Sequence, residues 1–127
     1  MTTLVLLPDE NFPGPIWRDL QRNHGWPIDE TGRYAIVGRP DGDVLRLAVE
    51  RNGVLLTNDA KFFKQPGVPE KIPDCQGIIF LGARAMEKQY RLEVAAWIDH
   101  ALRENGATLR GQVLRILGDY NWKWSAP

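Results

Sequence analysis

Residues 41–59, Asp41-Gly42-Asp43-Val44-Leu45-Arg46-Leu47-Ala48-Val49-Glu50-Arg51-Asn52-Gly53-Val54-Leu55-Leu56-Thr57-Asn58-Asp59, carry two patterns in succession. Val44, Leu45, Leu47 and Ala48 recur at the spacing of one helical face. Asp41 or Asp43 stands where a helix cap belongs, and Asn52-Gly53 supplies the stop. Val54 to Leu56 is then an unbroken apolar run, as a strand buried on both faces requires, and it ends abruptly in Thr57, Asn58 and Asp59. A helix feeding a fully buried strand is the repeating unit of a parallel sheet. The stretch therefore predicts an α/β fold with carboxylates at a strand end and at a helix start.

The same grammar extends in both directions. Upstream, Leu4 to Leu7 reads as a buried strand ending in Pro8, Asp9, Glu10 and Asn11. A turn at Pro13-Gly14-Pro15 follows, then a helix through Ile16, Trp17, Leu20 and His24 that Gly25 ends. Arg33 to Val37 reads as a second strand and Gly38 to Gly42 as a loop. Downstream, Phe62 to Gln76, with Pro66, Gly67, Pro69 and Pro73, reads as a long irregular loop after a short helical turn. Gly77 to Leu81 is a strand leading to Gly82, Ala83 and Arg84. A helix from Glu87 to Glu104 presents Tyr90, Val94, Trp97, Ile98, Ala101 and Leu102 on one face. Gln112 to Leu117 is a further strand, Gly118-Asp119 a turn, and Tyr120 to Trp124 the return of a hairpin. The expectation is a single domain over 1–127: a doubly wound, mainly parallel sheet with right-handed crossovers, helices on both faces and a closing β-hairpin. A strand order of 2-1-3-4-5 would bring Asp9 and Asp59 side by side, in the crevice where ligands bind such sheets.

Composition narrows the function. A chain of 127 residues is long enough to bury one core without staples, and its 43% hydrophobic and 25% charged content is that of a globular domain. Cys75 is the single cysteine, which excludes an intramolecular disulfide and a cysteine-based zinc site and leaves a reducing, cytoplasmic setting as the expectation. Neither a signal peptide nor a bilayer-spanning run is apparent, so no membrane partner is expected. The formal net charge of zero argues against nucleic acid held by bulk charge alone. That zero conceals a gradient: nine acids against six arginines in residues 1–60, and ten basic against seven acidic residues in 61–127.

Taken singly, Asp9, Glu10, Asp41 and Asp59 read as polar strand ends or caps. Together they concentrate carboxylates at one sheet edge, where like charges raise one another's pKa values unless a cation intervenes. Oxygen donors with no nearby histidine or cysteine favour magnesium or manganese, and the chemistry such a site performs best is phosphodiester hydrolysis. Arg84, just beyond the fourth strand, could hold a phosphate with its planar fork, and Lys61 and Lys64 could line the entrance. Tyr120, Trp122 and Trp124 alternate as a base-stacking strand would, or as a half-buried hairpin or partner interface. His24 and His100 fall on helices away from these motifs.

Three elements in order, Leu6-Leu7-Pro8-Asp9-Glu10-Asn11, then Asp41-x-x-Val44-Leu45-x-x-Ala48, then Val54-Leu55-Leu56-Thr57-Asn58-Asp59-x-x-Phe62, resemble the compact PIN-like domains often encoded beside small antitoxin-like partners. The resemblance runs from about residue 4 to 82 and more loosely to the end. It implies a magnesium- or manganese-dependent ribonuclease, the toxin half of a toxin–antitoxin pair, with a small antitoxin partner and a homodimeric tendency. Carried onto this chain, it makes Asp9, Asp41 and Asp59 the catalytic, metal-binding acids, with Glu10 a possible fourth. Thr57 would orient Asp59, Asn11 could hold a metal-bound water, and Lys61 and Arg84 would face the substrate. Two departures stand out: Lys61 occupies a place where relatives often carry an acid, and Glu87 is the best later acid. Two other readings stay open. A PIN-like module that has lost its chemistry would account for Lys61. A phospho-receiver domain would share the length and paired acids, but it calls for a lysine at the end of its last parallel strand, where this chain has none after Gln112–Leu117 until Lys123, and it gives Asp41 no role.

Overall fold

Leu6 and Leu7 are neighbours on the first strand, β1 (Val5–Pro8), and both are fully buried, but they enter different cores. Successive strand residues point to opposite faces, so the division follows from the strand itself and requires a layer on each side. In the computed structural model, which describes residues 4–125, those layers flank five strands. β1 pairs in parallel with β2 (Gly53–Thr57), β2 with β3 (Ile78–Leu81) and β3 with β4 (Val113–Gly118), while β5 (Asn121–Ser125) returns antiparallel to β4. The predicted α/β class, the mainly parallel sheet and the closing hairpin are thus observed.

On the Leu6 side lie α1 (Gly14–His24) and α5 (Arg91–Asn105), which bury Ile16, Trp17 and Leu20, and Val94, Trp97 and Ile98, against Val54, Leu56, Ile79, Leu114 and Ile116. On the Leu7 side lie α2 (Glu30–Ile36), α3 (Asp41–Glu50) and the short α4 (Val68–Lys71). These cover Leu55, Ile78 and Phe80 with Ile36, Leu45, Val68 and Ile72. α1 carries a proline in its first turn and ends at Gly25, whose φ of 75° is the left-handed conformation that glycine adopts freely. No helix among the described residues is long and apolar enough to cross a membrane.

Several expectations are corrected. Arg33 to Val37 is not a strand: Arg33 to Ile36 belong to α2, whose cap, Asp29, accepts a hydrogen bond from the Gly32 N–H at 2.9 Å. Arg51, 22 residues away, pairs with the same carboxylate. The sheet position outside β1 falls instead to Ile28, which makes a one-residue parallel bridge to Leu6, flanked by Leu6 N–H to Pro27 and Asp29 N–H to Leu6 hydrogen bonds. The order is therefore Ile28 bridge, β1, β2, β3, β4, β5, and it still reverses at β1. Neither Asp41 nor Asp43 caps α3, because Pro40 holds that position and both acids lie in the first turn. The segment after β2 is built from helical turns at 60–64, 68–71 and 72–74 rather than irregular loop. Tyr90 precedes α5 rather than belonging to it.

The hairpin turn centres on Asp119-Tyr120, both at positive φ, one residue beyond the predicted pair. The β2–β3 and β3–β4 connections step in the same direction across the sheet yet pass over opposite faces, so they have opposite hands, and the expectation that every crossover is right-handed fails for one of them.

Candidate active site

Three chain segments deliver carboxylates to the carboxyl edge of β1 and β2. The Asp9 N–H continues the β1–β2 ladder one residue past the strand by donating to the Leu56 carbonyl at 2.9 Å, which fixes where its side chain begins. That side chain sits in a residue only 9% exposed, and both its oxygens are engaged. Oδ1 accepts from the Asn11 N–H at 3.0 Å, and Oδ2 accepts from the Thr57 hydroxyl at 2.9 Å. A buried carboxylate needs such donors, and here they also set its orientation.

Thr57 is the last residue of β2 and is fully buried. Besides donating to Asp9, its hydroxyl oxygen accepts from the Asp59 N–H at 3.3 Å. One hydroxyl thereby couples the two acids: the expected hydrogen bond between Thr57 and Asp59 is made through the Asp59 backbone, while the Thr57 side chain also holds the Asp9 carboxylate. Asp59 is exposed and caps the 60–64 helical turn, its Oδ1 accepting from the Lys61 N–H at 2.9 Å. Lys61 thus contributes its main chain to the site, while its side chain is exposed.

Asp41 opens α3. Its carboxyl is held above the usual carboxylate range, first by burial and then by the charges of Asp59, Asp9 and Glu10. Acids from the ends of β1 and β2 thus lie within electrostatic reach of the start of α3. Glu10 is exposed and ties the loop after α2 by accepting from the Gly38 N–H at 3.2 Å. Gly42 lets the start of α3 approach the loop before α4, since a Cβ there would stand 2.6 Å from the Pro66 carbonyl oxygen. Sequence reading missed the parts played by Gly38 and Gly42, and the glycines bracketing Asp41 were the available signal.

The donor set fits a hard divalent cation: it is all oxygen, several acids are within mutual electrostatic reach, and the Asp41 charge is disfavoured without a counter-charge. The fit is chemical and electrostatic, because among the described residues no three of these groups form a ready-made metal-holding cluster. Arg84 lies past β3 but turns to the hairpin, donating to the Tyr90 hydroxyl at 3.1 Å and standing 3.8 Å from Asp119. Glu87 and Lys64 are exposed. His24 stands 3.5 Å from Asp99, and His100 packs on Tyr120 and Trp122, so neither joins the acids.

The fold and the placement of these residues define a doubly wound α/β domain with carboxylates gathered at the carboxyl edge of β1 and β2. No protein-family model, curated protein or solved structure matches the chain.

Proposed function

We propose that this protein is a magnesium- or manganese-dependent ribonuclease of PIN-like type, with Asp9, Asp41 and Asp59 as its metal-binding catalytic acids. The observation that carries the reading is the placement of Asp9 and Asp59 just past β1 and β2, both hydrogen-bonded to Thr57, beside Asp41 at the start of α3, whose carboxyl is raised first by burial and then by repulsion from Asp59, Asp9 and Glu10. Fold stability gains nothing from such repulsion, whereas a hard cation turns it into binding energy. When bound, that cation supplies Lewis acidity toward the phosphate and lowers the pKa of the attacking water.

The chain's own contribution is positioning. Thr57 and the Asn11 N–H lock Asp9, the Lys61 N–H locks Asp59, and the Gly38 N–H holds Glu10 at the margin. Asn11 is exposed beside Asp9, where it can hold a water. RNA as substrate, the toxin role, a small antitoxin partner and a homodimer follow from the resemblance of the three motifs. The cytoplasmic setting follows from the lone Cys75, which is buried, with its thiol pushed up chiefly by burial and so unreactive.

The test is incubation with labelled RNA and manganese or magnesium, beside the Asp9→Ala/Asp59→Ala double variant. Cleavage by the natural chain alone supports the assignment, and equal cleavage by both proteins defeats it. Metal binding without cleavage would identify an inactive PIN-like module. Acetyl-phosphate labelling of Asp59 would identify a receiver.

A further inference from the structure

One row of side chains crosses the sheet from the acids to its open edge. Thr57 on β2 pairs with Phe80 on β3, Phe80 with Arg115 on β4, and Arg115 with Lys123 on β5. Alternation places this row on the face that Leu55, Ile78 and Val113 share two residues earlier. At one end Thr57 holds Asp9. Toward the other end the face is open: α5 packs on β4 from the opposite side, over Leu114 and Ile116, while Lys123 and Leu117 are exposed.

The charges on this open face are unusual. Like charges directly opposite on neighbouring strands are unfavourable, yet Arg115 and Lys123 are such a pair. Among the described residues neither stands within ion-pair distance of a carboxylate. The Arg115 Nε is buried without a hydrogen-bond partner, and its guanidinium lies 5.1 Å over the Phe80 ring, which Phe63 supports edge-on.

We propose that the open end of this row, Arg115 with Lys123, is a phosphate-binding subsite for single-stranded RNA flanking the acids, the buried Thr57 and Phe80 taking no part in the contact. The proposal rests on the ribonuclease reading of those acids. Three strand-to-strand steps of about 4.8 Å span roughly 14 Å, a few nucleotides of extended chain. A guanidinium offers phosphate a bidentate fork and an ammonium a point charge. Charge complementarity with phosphate, together with the ribonuclease reading of the acids, favours nucleic acid over an acidic polypeptide.

The experiment is fluorescence anisotropy of a labelled oligouridylate in EDTA, where metal-dependent cleavage cannot intervene. Arg115→Gln/Lys123→Gln should weaken binding about tenfold and flatten the dependence of log affinity on log salt by about 1.4, for two single-strand phosphate contacts. Arg115→Lys/Lys123→Arg should keep both properties. Lys123→Gln alone, at an exposed position, should lose about threefold and serves if the double variant fails to fold. No binding by the natural chain, an unchanged affinity and salt slope in the double variant, or binding of polyglutamate in place of RNA would each overturn the subsite. Cleavage with unchanged RNA affinity in that variant overturns the subsite alone. RNA binding through the pair in a chain that never cleaves overturns the ribonuclease reading alone.

Discussion

Thr57 is the smallest unit in which stability and function meet. Its hydroxyl is fully buried, donates to Asp9 and accepts from the Asp59 N–H, so it sets two acids at once. Replacing it with valine keeps the shape and deletes the donor, leaving a nearly buried carboxylate oxygen without its partner, at a cost of about 1–3 kcal/mol. Thr57→Val is expected to lower stability by that amount in urea unfolding and to reduce RNA cleavage, while Thr57→Ser restores cleavage. A fully active, fully stable Thr57→Val chain would show that the hydroxyl positions nothing. The threonine itself was legible in the sequence as a polar residue ending an apolar strand. Its partner was not, because Asp9 lies 48 residues away and only the β1–β2 pairing brings them together.

Among elements, the strands and helices with long apolar patterns were legible: β1 to β4, α1, α3 and α5 all fall on the predicted segments to within a few residues. α2 was not, because Arg33 to Val37 is too short for its alternation to distinguish strand from helix. The deciding interactions are the Asp29 cap and the distant Arg51. Arg51 is the main reason that the Asp29 carboxyl lies below its ordinary value; burial opposes it and the Gly32 N–H assists. A carboxyl depressed by folding contributes stability that is present above the unfolded value of 3.8 and is lost as the pH falls through the lower folded value. Asp29→Ala is therefore expected to cost about 1 kcal/mol for the lost cap at pH 7, and more as the Arg51 contact goes with it. Thermal unfolding should show the deficit shrinking below pH 4, as the natural Asp29 takes up its proton. A deficit independent of pH would exclude this ion pair as its source.

Over the whole molecule, zero net charge is a sum of opposites that the fold separates in space. Acids from the first half of the chain gather at the carboxyl edge of β1 and β2, and Arg115 and Lys123 of the second half occupy the open face beside the far edge. The acidic half was legible because its carboxylates end apolar strands or begin a helix. The basic pair was not, since Arg115 and Lys123 become neighbours only through the antiparallel register of the hairpin. A protein arranged in this way repels phosphate at its acids until a cation enters, so metal uptake precedes cleavage, whereas RNA binding by the distant basic pair does not require it. The most direct measurement is electron paramagnetic resonance titration of free manganese at neutral pH. Saturable uptake by the natural chain, lost in Asp9→Ala/Asp59→Ala, is expected; no uptake by the natural chain, or equal uptake by both, would exclude a metal site built on these acids.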